Sequence, residues 1–385
     1  MRVLFHVQHL LGVGHLRRGE LLANALAKRG MAVTVALGGM PVPEMPFAGA
    51  NVVQLPPTKL KGADFKVLYD ADGNPVTDAW RAARRDALLR LYEDIRPDIV
   101  LLEMYPFGRW RFGFELLPLL ERAARDKPRV KCVTSVRDIL VATKHPERAA
   151  KGAAIARAHL DAVLVHSDPS LFAFEETYPH AEELADLIGY TGYVTEPAER
   201  VRGAPSGEVI VSAGGGAAAG DLMRAAMAAR PSTPLADRVW RFFTGPRFPA
   251  EGFEELSAMA DERTVVSRFA PNFQELLDGC ALSISQAGYN TVMNLLRAEA
   301  PAVVVPYDEG EETEQWHRSE RMRDMGLLSV VKASELSPPT MAAAIAEALE
   351  RPAAKRPLID LDGAAHAARM IEALGNDDDR SRMAR

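Results

Sequence analysis

A chain of 385 residues, 48% hydrophobic and 25% charged, has the composition of an ordinary globular protein, and its length predicts two or three domains. Two cysteines, Cys132 and Cys280, are too few for a disulfide framework and stand in no CxxC spacing, which excludes a disulfide-built or cysteine-metal protein. A net charge of −6 argues against generic nucleic-acid binding, and no apolar run approaches the 18 or so residues of a membrane helix.

In chain order, Arg2–Gln8 reads as a short apolar strand, followed by the turn Gly12-Val13-Gly14-His15. Arg18–Arg29 has helical periodicity and stops at Gly30, a helix-terminating residue type. The next strand is Ala32–Leu37. Ile99–Leu102, Val130–Ser135 and Ala162–His166 follow, reached through helical stretches such as Asp78–Ile95 and Leu116–Lys127. Strands alternating with helices imply parallel pairing with crossover connections, a doubly wound α/β sheet.

Thr191–Gly207 then breaks into glycine- and proline-rich sequence and is the best linker. The pattern restarts with the strand Glu208–Ser212, the turn Gly214–Gly216 and the helix Asp221–Ala229. Further strands fall near Trp240–Thr244, Thr264–Ser267, Ala281–Ser285 and Ala302–Pro306, and residues 364–374 form a last helix before a charged tail. Two α/β domains of similar size, each opening with strand, glycine loop and helix, are the simplest reading.

Three segments can carry chemistry. The first glycine loop follows a strand and opens a helix, so its amides and the helix dipole suit a negatively charged group. It is not the dinucleotide fingerprint, because Arg17 stands where the third glycine of GxGxxG belongs. His15 lies at the carboxyl end of the first strand, where open α/β sheets bind ligands, although a histidine there also serves simply as a helix-start residue. The second loop, Ser212-Ala213-Gly214-Gly215-Gly216, permits close approach of phosphate to the backbone, yet lacks the Gly-Lys-Ser/Thr ending of a P-loop. The third, Ser285-Gln286-Ala287-Gly288-Tyr289-Asn290-Thr291, opens another helix. Beyond it, an acidic stretch of Asp308, Glu309, Glu311, Glu312 and Glu314 ends at Gln315. Carboxylates without histidine favour a solvated loop over a metal site.

Residues 80–151 carry 16 basic against 10 acidic side chains, readable as solvated helix faces or as a surface for an anionic acceptor or membrane headgroups. Within them Arg109-Trp110-Arg111-Phe112-Gly113-Phe114 is either an interfacial patch or a loop whose aromatics pack into the core.

Val7-Gln8-His9 with Gly12-Val13-Gly14-His15-Leu16-Arg17-Arg18, the Ser285–Thr291 segment and Glu314-Gln315 together resemble MurG-like glycosyltransferases of family 28, especially a poorly characterised bacterial branch. That branch is similar to this chain also at Glu103-Met104-Tyr105-Pro106-Phe107-Gly108-Arg109 and Ser135-Val136-Arg137-Asp138. The resemblance covers nearly the whole chain. It implies the GT-B architecture, two Rossmann-like doubly wound parallel-sheet domains facing across a cleft. Residues 1–190 would bind the acceptor, 191–207 would link, and 208–362 would bind the nucleotide sugar. Residues 363–385 would form a helix and tail that can pack back on the N-terminal domain.

Further implications attach to individual residues. Ser212 and Gly214, Gly215 and Gly216 would hold the donor diphosphate, and Phe269 and Ala270 would border its base. Gly288, Tyr289, Asn290 and Thr291 would face phosphate at a helix start, while Glu314 and Gln315 would bind the donor sugar. Where relatives carry a glutamate for the ribose, this chain has Asn294, which hydrogen-bonds a hydroxyl without the charge assistance of a carboxylate. His15 would be the base, oriented by Asp138, with Gly12, Gly14, Glu103, Phe107, Arg109 and Arg137 lining the acceptor. The implied reaction is inverting transfer from a nucleotide sugar, UDP-linked, to an acceptor hydroxyl or amine, with no metal and no other cofactor. The expected setting is the cytoplasm, with contact to the inner membrane face where the acceptor is lipid-linked. A nucleotide-sugar hydrolase or epimerase on the same fold, or a catalytically degenerate sugar-nucleotide binder, is the alternative.

Overall fold

A computed structural model describes residues 1–10, 14–42, 45, 47–61, 64–140, 146–196, 206–213, 220–245, 248–270, 272–307, 314–351 and 358–376. The chain forms two compact units, Met1–Glu196 with Asp360–Arg385, and Pro197–Ile359.

The first unit opens with β1 (Arg2–Val7), α1 (Gly14–Lys28), β2 (Ala32–Gly39), β3 (Ala50–Lys61), β4 (Asp64–Tyr69) and α2 (Asp78–Ile95). It continues through β5 (Ile99–Glu103), α3 (Gly113–Ala124), β6 (Lys131–Arg137), α4 (Pro146–His159), β7 (Ala162–His166) and β8 (Ile188–Tyr190). Its eight strands lie in the order β4-β3-β2-β1-β5-β6-β7-β8, all parallel except the β3–β4 pair. The period of two along each strand sends alternate side chains to opposite faces. Val3, Phe5 and Val7 of β1 join Leu16 and Leu22 of α1 in one core, whereas Leu4 joins Leu88 of α2 and Leu116 and Leu119 of α3 in the other.

The second unit holds β9 (Val209–Ser212), α5 (Gly220–Ala229), β10 (Trp240–Phe243), α6 (Ala250–Ala258), β11 (Thr264–Ser267) and α7 (Phe273–Asp278). After these come β12 (Leu282–Gln286), α8 (Tyr289–Ala298), β13 (Ala302–Val305), α9 (Glu314–Asp324), β14 (Ser329–Val330) and α10 (Pro338–Glu350). The strand order β11-β10-β9-β12-β13-β14 is fully parallel and reverses direction between β9 and β12. The last helix, α11 (Gly363–Gly375), belongs to the first unit, where Ala367 and Ile371 join the core around α1. Its lead-in pairs with the strand exit at residues 193–195: Tyr193 N donates to the Asp360 carbonyl at 2.7 Å, and Gly363 N to the Tyr193 carbonyl at 3.0 Å.

A buried ion pair on the α2–α3 face of the first sheet fixes the exit of β1. Arg84 and Glu115 are both fully buried, and the guanidinium meets the carboxylate in a fork at 2.7 and 2.8 Å. The remaining N–H groups of Arg84 reach the carbonyls of Gly38 (2.9 Å) and Pro56 (2.8 Å) and the Gln8 amide oxygen (2.6 Å). All five donors are thereby used. Gly38 is required here, since a Cβ would sit 2.2 Å from Arg84 Nη2 and 2.0 Å from Gln8 Oε1. Breaking a buried pair by removing one charge costs about 3–5 kcal/mol, whereas an apolar pair of similar volume is nearly neutral. Glu115→Gln is therefore expected to lower the stability of the first unit by about that amount in urea unfolding.

Candidate active site

In open α/β sheets ligands bind outside the carboxyl ends of the strands, at the point where strand order reverses. In the first unit that point lies between β1 and β5, which pair directly. His15, the second residue of α1, and Glu103, the last of β5, flank it. Their contact is short: His15 Nδ1 lies 2.6 Å from Glu103 Oε1. Glu103 is 1% exposed and also accepts from Arg18 Nη2 at 2.8 Å and from Arg109 Nε at 3.1 Å. Arg109 folds back because the chain turns sharply after the strand. Met104 (φ 67°) and Arg109 (φ 57°) both adopt the left-handed conformation, which costs a non-glycine residue on the order of 1–3 kcal/mol.

Burial alone raises the Glu103 carboxyl, but His15, Arg109 and Arg18 outweigh it and hold it well below the ordinary carboxylate range. Burial acts the opposite way on His15. Desolvation, reinforced by the Arg109 and Arg18 cations and only partly offset by Glu103, lowers its pKa to about 4. At neutral pH the imidazole is uncharged, its Nδ1–H donated to Glu103, and Nε2 carries the lone pair. An imidazole in this state, its tautomer fixed, can take up a proton at Nε2.

The residue that orients His15 is therefore Glu103 and not Asp138. The cause is strand order: β5 is the neighbour of β1, whereas Asp138 lies beyond β6, three residues past the Ser135 that pairs with Glu103. Asp138 is fully buried. Glu103, expected to meet the acceptor, is instead enclosed by its three partners. Phe107 is likewise a packing residue, set edge-on against Phe174 at 5.5 Å and Tyr178 at 4.9 Å. In the Arg109–Phe114 segment Phe112 is buried, and Trp110 and Phe114 pack against the core, so these aromatics serve the interior. Gly14 starts α1, and Arg137 ends β6 in register with His166. Gly12 lies outside the described residues.

Sequence reasoning missed a second polar group behind the first. His166 is fully buried, 2.6 Å from Ser135 Oγ and 2.8 Å from Thr191 Oγ1. Thr191 spends its own hydroxyl proton on the Gly192 carbonyl (2.8 Å), so His166 donates from Nδ1 and Ser135 donates to Nε2. A histidine closing the apolar strand Ala162–His166 was the available signal.

In the second unit the reversal point lies between β9 and β12, where Ser212 pairs in register with Ser285. Both hydroxyls are buried, and neither has a partner among the described residues. Gly288 caps α8 (φ −60°, ψ 145°), and a Cβ there would meet nothing nearer than Thr291 Oγ1 at 4.0 Å. Packing among the described residues does not demand glycine at this helix start. Tyr289 lies under the Arg318 guanidinium at 5.3 Å, and Arg318 Nη2 donates to Glu314 Oε1 at 2.6 Å. The starts of α8 and α9 are thus tied together through Arg318, which is fully buried and was not singled out from sequence; its spacing of four from Glu314 was the clue. Gln315 accepts the Tyr307 N–H at 3.1 Å through its amide oxygen. Asn290 is exposed, Thr291 and Asn294 are half-buried, and the Asn294 carbonyl accepts from Gln274. Phe269 is 72% exposed and Ala270 half-buried after β11, two strands from β9, so the structure does not bring them against Ser212 or Gly288. Gly214, Gly215, Gly216 and the acidic residues 308–312 lie outside the described residues. Among the described residues no group of three or more His, Cys, Asp or Glu could hold a metal ion, and no helix is long and apolar enough to cross a membrane.

Residues 209–369 match the family described as the glycosyltransferase family 28 C-terminal domain. A curated relative from Carboxydothermus hydrogenoformans, a UDP-N-acetylglucosamine–N-acetylmuramyl-(pentapeptide) pyrophosphoryl-undecaprenol N-acetylglucosamine transferase, is 28% identical over 123 residues. The match spans about a third of each protein, 32% of this chain and 32% of the relative. Among solved structures, MurG of Acinetobacter baumannii superposes with a TM-score of 0.65 at 13% identity, covering 97% of this chain and 99% of its own. The spinosyn rhamnosyltransferase SpnG in complex with thymidine diphosphate gives 0.59 at 19% identity, covering 98% and 96%. The fold is that of the GT-B glycosyltransferases, and the chain is MurG-like in its fold throughout and in sequence over its C-terminal unit.

Because the folded His15 binds protons more weakly than an unfolded histidine of pKa about 6.5, protons favour the unfolded chain. The His15 contribution to stability is expected to be full above pH ~6.5 and to fall as pH drops towards about 4. Imidazole NMR should show a neutral His15, protonated on Nδ1, throughout the range above pH ~6.

Proposed function

We propose that the chain is a glycosyltransferase that moves a sugar from a nucleoside diphosphate donor, with uridine as the base, to a hydroxyl or amine of an acceptor. Transfer inverts the anomeric centre and needs no metal. The observation that carries this reading is the neutral, tautomer-fixed His15 held by Glu103 at the reversal point of its sheet.

The reaction is one displacement. Nε2 of His15 removes the proton of the acceptor nucleophile as the acceptor oxygen or nitrogen bonds to the anomeric carbon. The bond from that carbon to the β-phosphate oxygen breaks, and its electron pair leaves with the diphosphate. Attack opposite the leaving group inverts the centre. Glu103 stabilises the imidazolium as it forms, as a carboxylate does in a catalytic dyad.

The second unit holds the donor. The start of α8 at Gly288, Tyr289, Asn290 and Thr291, together with the Gly214–Gly216 loop and the Ser212 hydroxyl, takes the diphosphate. Helix-terminal N–H groups and the helix dipole offset its charge, which is what makes a metal dispensable. Glu314 and Gln315 bind sugar hydroxyls. Phe269 and Ala270 border the base, and Asn294 faces the ribose. The uridine assignment follows the curated relative, whose name specifies a UDP-linked sugar.

Three variants test the reading. His15→Ala should lower turnover about 10²–10⁴-fold while donor affinity stays within a few-fold. Gln315→Ala should weaken the nucleotide sugar and leave the free nucleoside diphosphate nearly unaffected. Glu103→Gln should lower turnover in the same direction as His15→Ala, with little further loss in the double variant, because the pair acts as a unit. Turnover of His15→Ala near that of the unaltered chain, with a working acceptor, would overturn the assignment of the base. Consumption of the donor at full rate without acceptor would replace transfer by hydrolysis.

A further inference from the structure

The buried Glu103 carboxylate is met by more positive charge than it neutralises. Glu103 faces two guanidiniums, Arg18 at 4% exposure and Arg109 at 16%. Each gives the carboxylate one N–H, and each keeps another nitrogen buried with no partner: Nε of Arg18 and Nη2 of Arg109. His9, 7% exposed, feels the charges of both Arg109 and Glu103, and its Nδ1 is also buried without a partner. A buried N–H left unmade, and still more a buried charge left unpaired, is destabilising. Arg109 is also held in place at the expense of two left-handed residues, Met104 and Arg109 itself. A cation that is desolvated, under-bonded and maintained on strained backbone is built to receive an anion.

We propose that Arg109, with Arg18 and His9 behind it, is a binding site for a singly charged oxyanion carried by the acceptor next to its nucleophilic group. A carboxylate and a phosphodiester share that chemistry. The charge count sets the valence: two guanidiniums against one carboxylate leave a surplus of one, which a monoanion cancels and a phosphate dianion overshoots. The inference rests on the reading of His15 as base and adds the class of acceptor that this base serves.

Occupation of the site also acts on the base. The charged and titratable groups set around His15 are Glu103 on β5, Arg18 on α1 and Arg109 after β5, with His9 after β1 and His166 at the end of β7 in the same buried set. Burial and the two cations keep His15 at about 4, a weak base. An oxyanion paired with Arg109 removes one of the cations from that balance, so the base strengthens only when the acceptor is in place.

The test is histidine imidazole NMR of the full chain titrated with glycolate, dimethyl phosphate and inorganic phosphate. A monoanion in the site is expected to raise the His15 pKa by about 1–3 units, the range for a single close charge. Whichever of glycolate and dimethyl phosphate acts at lower concentration identifies the oxyanion. Arg109→Gln should start with a higher His15 pKa and lose the response. Arg109→Lys keeps the positive charge for folding but cannot serve Glu103 and an anion together, and its response should weaken several-fold. No response to any of the three anions, a response to inorganic phosphate alone, or an unaltered response in Arg109→Lys would each overturn the proposal. Sugar transfer is not needed for any of these readouts. A chain without transferase activity can still show the anion site, and a transferase acting on neutral acceptors shows none.

Discussion

One buried carboxylate organises the candidate active site. Glu103 closes β5, and through His15, Arg18 and Arg109 it joins the strand to the first turn of α1 and to the turn that follows Met104. Each contact has a separate consequence. The bond to Nδ1 fixes the tautomer of the base, the pair with Arg18 anchors α1 to the sheet edge, and the pair with Arg109 brings a second cation beside the imidazole. A glutamate placed one strand away could not do this, since strands lie about 4.8 Å apart and a carboxylate reaches only a near neighbour.

On the α2–α3 face of the first sheet the buried Arg84 is fully satisfied. The Arg84–Glu115 pair ties α2 and α3 to the exits of β1, β2 and β3, and Gln8, held by Arg84, passes a hydrogen bond at 2.7 Å to the His9 carbonyl. The connection that leads towards His15 therefore leaves β1 from a fixed point. The contrast with the Glu103 group is informative. Arg84 uses every donor, whereas Arg18 and Arg109 each retain one unused. A completed network is structural, and an incomplete one at a sheet's reversal point is poised for a ligand.

In the second unit the strand ends at the reversal point carry small side chains. Ser212 and Ser285 present small hydroxyls at adjacent strand ends, and Gly288 leaves open space at the N-terminus of α8. Charge is supplied one layer back, where Arg318 stacks on Tyr289 and holds Glu314. Removing Arg318 would separate two helix starts rather than delete a ligand contact.

The sequence by itself determined the architecture. Alternating apolar strands and amphipathic helices specify parallel sheets, because each strand buried on both faces must be apolar and each crossover must carry a helix. The strand Ala162–His166 and the helix Asp78–Ile95 appear with the bounds read from sequence, and His15 is legible as a polar residue at a helix start. The hairpin of β3 and β4 is not legible in the sequence, since the two prolines and two lysines of Ala50–Lys61 mask its period. Only the tertiary structure decided which carboxylate meets His15. Asp138 and Glu103 both follow apolar strands, and local pattern does not distinguish them. Strand order does, because proximity across a parallel sheet is set by which strands are neighbours, a long-range property that no window of sequence contains. The same holds for Arg18 and Arg109: their charges are legible in the sequence, but only packing shows that both face one buried carboxylate and that one positive charge is left over.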